Sequence, residues 1–146
     1  MLAKITEYAI RALIYIQLQN WKRLRPGVSE IAKEIEAPEA YLATILHTLT
    51  KHKLLDSIKG RGGGFFFKEN QIDLTLYDVI HVMEGDGVFN KCGFGLKNCS
   101  DLKPCPIHVE YKFLRGGFYR MVNKETIKSL SKKILEGKAV LNRLIG

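Results

Sequence analysis

The chain of 146 residues has three cysteines, Cys92, Cys99 and Cys105, all within one stretch that closes on His108. Thiolates are soft ligands, and an imidazole three residues after the last of them adds a fourth donor of metal-binding type. Gly93, Gly95, Pro104 and Pro106 crowd the same stretch, which predicts loop over residues 86–108 rather than helix or strand. Three thiols and an imidazole on one loop suggest a metal or cluster site. Iron–sulfur clusters, zinc and copper all favour thiolate, so the donors alone leave the metal open. Structural zinc sites usually contain a tight Cys-x-x-Cys pair, and its absence here ranks zinc (Zn) second to a cluster. An odd number of cysteines in one loop also fits ligation better than a disulfide framework.

Composition bounds what such a site could serve. The formal charge of +8 and pI near 9.4 favour a polyanionic partner. No apolar run approaches the roughly 20 residues that span a bilayer, which predicts no membrane partner. Met1 to Glu7 carries no signal-peptide pattern, so a cytoplasmic protein with reduced thiols is expected. There is no Gly-x-Gly-x-x-Gly in a βαβ context, no Cys-x-x-Cys and no Ser/His/acid set with a local signature. An enzyme is therefore not expected, and a redox or electron-transfer protein is only a remote alternative.

The flanking elements indicate what the loop controls. Ile5, Ala9, Leu13 and Ile16 recur at three- and four-residue intervals, predicting a first helix over 2–18 with one apolar stripe. Lys4, Glu7 and Arg11 fall on its other face, Glu7 and Arg11 at the spacing of an i,i+4 ion pair. After the basic run Lys22-Arg23-Leu24-Arg25 and the turn Pro26-Gly27, Ser29 is expected to cap a short helix burying Ile31, Ala32 and Ile35. Pro38 opens a third helix whose stripe is Leu42, Ile45, Leu46 and Leu49, ending near His52. This is a helix-turn-helix pattern.

Leu54–Ile58 and Phe65–Phe67 then read as strands around Lys59-Gly60-Arg61-Gly62-Gly63-Gly64, a basic, glycine-rich hairpin tip. Placed after a helix-turn-helix, that tip is a wing and makes double-stranded DNA the expected partner. Glu39, Ala40, Ala43, Thr44 and His47 lie on the third helix away from its apolar stripe, where base readout is expected. Tyr41, Lys59 and Arg61 suit contacts to phosphate or the minor groove.

Beyond the wing, Thr75 and Asp78 have capping-box spacing for a fourth helix, with Leu76, Val79, Ile80 and Met83 apolar and Gly85 at its end. Pro106 opens a long helix interrupted by Gly116-Gly117, which predicts a kink or the close approach of another helix. Asn123 is the expected cap of a last helix carrying Ile127, Leu130 and Ile134. The two last helices look too apolar for so small a domain to cover, which predicts a dimer interface. The expected fold is mainly α with a small β-hairpin wing. A winged helix-turn-helix domain fills 1–70 (wing 59–64), and the fourth helix, the cysteine loop and dimerisation helices fill 71–146.

The pattern Thr6-Glu7-Tyr8-Ala9-Ile10-Arg11-Ala12-Leu13-Ile14-Tyr15, Tyr41-Leu42, the wing Ser57 to Phe65 and the three-cysteine loop together resemble the Rrf2 family of winged-helix transcription regulators. The resemblance covers nearly the whole chain. It implies a homodimer on a partly palindromic operator, with long C-terminal helices crossing between subunits. It also implies an iron–sulfur cluster on Cys92, Cys99 and Cys105, 2Fe-2S being favoured and 4Fe-4S the alternative. In the cluster-assembly branch the fourth ligand is a histidine at the position of His108; in the nitric-oxide-sensitive branch it is an acid at the position of Glu7, reaching from the partner subunit. Departures from the family pattern include a longer first cysteine gap, Glu7 for the usual Asp, Lys59 for arginine, Arg61 for proline, and Ala43-Thr44 for Glu-Gln. The expected function is a DNA-binding repressor whose affinity is set by a cluster sensing redox, nitric oxide or cluster status. The alternative is a winged-helix regulator with structural zinc or no metal.

Overall fold

The computed structural model describes residues 1–141, so the last five residues of the expected C-terminal unit lie outside the described residues. Its centre is α1, Lys4–Trp21. Ala9, Leu13 and Ile16 are fully buried as their spacing predicts, with Ala12 on the same stripe, but Ile10 and Ile14 on another face are buried as well. The single stripe expected from the sequence is therefore incomplete: α1 is packed on most sides, against α2 (Val28–Glu34), α3 (Glu39–Lys51), α4 (Leu76–Glu84) and α7 (Ile127–Leu135). The predicted Glu7–Arg11 pair does not form. Glu7 lies 3.7 Å from Lys4, and the Arg11 guanidinium sits 4.9 Å over the Tyr8 ring.

The three helices of the helix-turn-helix end alike. After α1, Leu24 N–H donates to Gln19 O and Arg23 N–H to Asn20 O; α2 and α3 repeat this with Ala37 to Ala32 and Leu54 to Leu49. These paired bonds are Schellman motifs, and they place Arg23, Glu36 and Lys53 at φ near +60°. Glycine usually fills that position, so no glycine marked these ends in the sequence. Ser29 is not a cap: α2 begins at Val28, two residues before the start that a Ser29 cap would give, with Gly27 as its N-cap.

Strands β1 (Asp56–Ile58) and β2 (Gly64–Phe66) pair antiparallel in the register Asp56↔Phe66, Ser57↔Phe65 and Ile58↔Gly64. The first strand is shorter than expected because Leu54 completes the end of α3 and Leu55 is buried in the core. The chain before α2 packs beside β2. Phe65 N–H donates to Pro26 O at 2.9 Å, and the Asn20 amide bonds Phe65 O and Phe67 N–H. A Cβ on Gly64, whose φ is +147°, would stand 2.1 Å from Arg25 O.

The Thr75–Asp78 capping box opens α4 as predicted, and Gly85 at φ +76° closes it. One turn, α5 (Gly87–Asn90), then interrupts what the sequence reads as loop throughout. The long helix α6 spans His108–Lys124, two residues after Pro106, and runs unbroken through Gly116-Gly117, where added Cβ atoms would meet only the Arg120 guanidinium at 3.5 and 3.7 Å. Thr126 with Ser129, not Asn123, caps α7; the Asn123 amide donates back to Tyr119 O. The caps of α4 and α7 are joined, Leu76 N–H to Glu125 O and Ile127 N–H to Leu74 O. One apolar core thus continues past residue 70 and includes Leu74, Leu76, Ile80, Val122 and Ile127. The apolar side of α7 packs into this core, whereas α6 leaves Val109, Phe113 and Leu114 exposed.

Replacing Gly64 by Ala should destabilise the fold by about 1–3 kcal/mol, because β2 cannot stay against the Arg25 carbonyl with a Cβ in the way. Chemical denaturation read by far-UV circular dichroism checks this, with Gly62→Ala, where the added Cβ meets open space, as the milder comparison.

Candidate metal centre and nucleic-acid interface

The loop between α5 and α6 folds on a few backbone devices. Gly95 N–H bonds Cys92 O, and Ser100 and Lys103 exchange backbone bonds at 3.1 and 3.2 Å, a turn that brings Cys99 and Cys105 together. Gly93 lies so close to the start of α6 that a Cβ would stand 2.7 Å from Ile107 and 2.9 Å from the Tyr111 ring. Arg115 of α6 anchors the loop's beginning by donating to Lys91 O at 2.7 Å.

These constraints gather the three thiols: Cys92, Cys99 and Cys105 Sγ all lie within 4.8 Å of one another, half-buried, with Cys92 and Cys105 3.5 Å apart. His108 opens α6 as a buried residue, 8% exposed, and its Nδ1 lies 3.3 Å from Cys99 Sγ. His108 Nε2 is 2.8 Å from Asp101 Oδ1, and Lys112 Nζ holds the Asp101 oxygens at 3.1 and 2.9 Å. The Lys112 ammonium, then the His108 ring, keep Asp101 below the usual carboxylate range. The thiols are inequivalent. N–H groups of Leu96 and Phe94 aimed at Cys92 bring its thiol down to about 7, while partial burial pushes Cys105 up. Thiolates and imidazole at this separation fit the donor chemistry of an iron–sulfur cluster and also that of zinc.

Glu7 is not brought to the thiols within one chain; its side chain sits on α1 beside Lys4, 45% exposed. A different acid ties α1 to the loop region. Glu84, the last residue of α4, accepts from Ala3 N–H at 2.9 Å and from the Thr6 hydroxyl, so it caps the start of α1. Two residues on, Asp86 is bonded to His81 Nδ1 at 2.8 Å and by the Tyr77 hydroxyl at 3.1 Å, and Phe89 of α5 stacks on Tyr77 and Phe118.

On α3, Glu39, Ala40, Tyr41, Ala43, Thr44 and His47 are all exposed, while Leu42, Ile45, Leu46 and Leu49 are fully buried. They form one open surface opposite the core. Thr44 Oγ1 is turned back onto Ala40 O at 3.3 Å, and the Tyr41 ring meets Tyr8 edge-on at 5.6 Å. Lys59 and Arg61 are exposed at the hairpin tip. Sequence reasoning missed Arg25, whose guanidinium lies 4.5 Å over Phe66 on the flank of the hairpin and which shares a groove with Arg23 and Lys68. The basic run before Pro26 was visible in the sequence, but not its placement beside a strand about forty residues later.

The family model described as "Rrf2: Iron-dependent Transcriptional regulator" matches residues 2–133. The "HTH-type transcriptional regulator NsrR" of Oceanobacillus iheyensis is 30% identical over 133 residues, covering 90% of this chain and 89% of the relative. Among solved structures, CymR, the global cysteine regulator of B. subtilis, superposes with a TM-score of 0.72 at 20% identity, over 90% of this chain and 96% of that one. T. potens IscR superposes at 0.71 and 18% identity, over 100% and 96%. At these identities the structural likeness carries the fold alone: a mainly helical chain with a winged hairpin. No described helix is long and apolar enough to cross a membrane.

In reduced, metal-free protein, Cys92 should alkylate first. Its reaction with iodoacetamide should rise through half-maximum near pH 7, since thiolate appears as pH climbs past its lowered value, whereas Cys105 should lag to higher pH. Brief labelling followed by peptide mass spectrometry reads both curves; Cys105 reacting before Cys92 would contradict the assigned thiol environments.

Proposed function

Because the chain belongs to the Rrf2 family of transcriptional regulators, we propose that it is a homodimeric DNA-binding repressor whose affinity is set by an iron–sulfur cluster held on Cys92, Cys99, Cys105 and His108. The observation that carries this reading is the convergence of three thiols within 4.8 Å, with His108 Nδ1 3.3 Å from one of them. When bound, the cluster supplies sensitivity to redox state, nitric oxide or cluster supply. His108 is preferred over Glu7 of the partner subunit because its ring is already beside the thiols.

The chain's own residues connect the loop to the DNA-facing surface. Arg115 and Lys112 anchor the loop to α6, Asp86 anchors its entry to α4, and Glu84 at the end of α4 caps α1. Tyr8 on α1 touches Tyr41 on α3. A change in the order of residues 91–107 thereby shifts the platform on which α3 stands, and couplings of this type are worth about 1–3 kcal/mol. On DNA, α3 enters the major groove with Glu39, Ala40, Ala43, Thr44 and His47 toward the bases, while Tyr41, Lys59 and Arg61 take phosphate or the minor groove. The exposed Val109, Phe113 and Leu114 on α6 suit the dimer contact, which sets two α3 helices on a partly palindromic operator.

Anaerobic purification followed by iron and sulfide assay tests the cofactor. Iron with sulfide is expected, and stoichiometric zinc without sulfide would overturn the cluster in favour of a zinc-bearing regulator. Binding to its own promoter region should weaken with salt, log affinity falling by about 0.9 per phosphate neutralised. Arg61→Ala should reduce that slope by about 1 without changing sequence preference, while His47→Ala should alter preference at one base position, by about 1–3 kcal/mol. Fluorescence anisotropy over a salt series checks both; salt-independent binding would refute the interface.

A further inference from the structure

His108 is among the few polar side chains buried in this fold, and both of its ring nitrogens are engaged. Nδ1 faces Cys99 Sγ at 3.3 Å, and Nε2 faces Asp101 Oδ1 at 2.8 Å. A neutral imidazole has one N–H and one lone pair, and a carboxylate can only accept. The hydrogen bond to Asp101 therefore puts the proton on Nε2 and leaves the Nδ1 lone pair directed to the side where the three thiols converge. We propose that Asp101 is a positioning residue for the metal centre: it fixes the tautomer and orientation of His108 so that Nδ1, and not Nε2, is the fourth donor. This rests on the reading of His108 as a ligand and specifies which atom ligates and what holds it there.

A chance surface pair would not have this geometry. Asp101 lies on the loop, whereas His108 and Lys112 lie one turn apart on α6, and the single carboxylate bridges both. The ring is therefore set only when the loop has folded onto the helix. Asp101 also sits inside the Ser100–Lys103 turn that brings Cys99 toward Cys105, so the same closure assembles the thiols and orients the imidazole. Outer partners of this kind, carboxylates bonded to the far nitrogen of a ligating histidine, typically contribute 10–100-fold in metal affinity.

The test compares wild type with Asp101→Ala, Asp101→Asn and His108→Ala. Nitrogen NMR of the reduced, metal-free chain at about pH 8, above the ordinary histidine range, reads the tautomer directly. Wild type should hold His108 with its proton on Nε2. Asp101→Asn, which keeps an acceptor, should retain that state, and Asp101→Ala should relax to a solvent-like mixture. After anaerobic loading with ferrous iron and sulfide, cluster loss to a chelator should be roughly 10–100-fold faster in Asp101→Ala than in wild type. A proton on Nδ1 in wild type, or an Asp101→Ala cluster as long-lived as wild type while His108→Ala is not, overturns the proposal. A His108→Ala cluster that matches wild type in spectrum and lifetime instead overturns the ligand reading beneath it, and the role of Asp101 with it.

Discussion

The burial of α1 is the constraint on which the remaining structure depends. An ordinary surface helix hides one stripe, but this one has Ala9, Ile10, Ala12, Leu13, Ile14 and Ile16 all withdrawn from water. Each large aliphatic side chain so buried contributes about 1.5–3 kcal/mol relative to exposure. To achieve that burial, α1 needs partners from both halves of the chain, α2 and α3 from the first and α4 and α7 from the second. The two halves share one core and cannot shift independently except at its margins. Those margins are where the chemistry lies: the wing tip, the single turn of α5 and the cysteine loop.

The loop is held by a small number of polar contacts rather than by burial. Three thiols this close cannot all ionise without a compensating cation, and Cys105, pushed up first by burial, is pushed up further by its bonds to Cys92 and Cys99 and by the charge of Cys92. A bound cation removes the conflict by accepting all three as thiolates. In the proposed regulator this would make the loop's order depend on occupancy in a way the core's does not.

Much of this was legible from periodicity. Leu42, Ile45, Leu46 and Leu49 mark the buried face of α3, and Thr75 with Asp78 marks the start of α4, because both signals are local. The errors occur where a non-local contact or an uncommon backbone state decides. Arg23, Glu36 and Lys53 adopt left-handed backbone with no glycine to announce it. Ser29 resembles a cap, but α2 begins right after Gly27, beside the Pro26 carbonyl that takes a bond from β2. Asn123 is a plausible cap only if α6 ends before it, and α6 continues to Lys124. The bond between Glu84 and Ala3 spans most of the chain and leaves no trace in local composition, and Asp101 looks like any loop acid until His108 is placed beside it. The thiols were visible because residue type, number and confinement coincided.

The bridge between Thr75 and Thr126 has a topological consequence. Leu76 N–H donates to Glu125 O and Ile127 N–H to Leu74 O, so the stretch from α4 to the end of α6, which gives Leu76, Val79, Ile80 and Val122 to the core, starts and finishes at one point. Rearrangement of the cysteine loop inside this stretch reaches the helix-turn-helix through the side chains of α4, above all the Glu84 cap on α1, and not through the chain that enters at Leu74 or leaves at Ile127. A cysteine loop longer or shorter by a residue leaves the paired ends of the stretch, and the chain register of α1, α2 and α3, as they are. A fold built this way can exchange one loop at this place for another while α2 and α3 keep theirs.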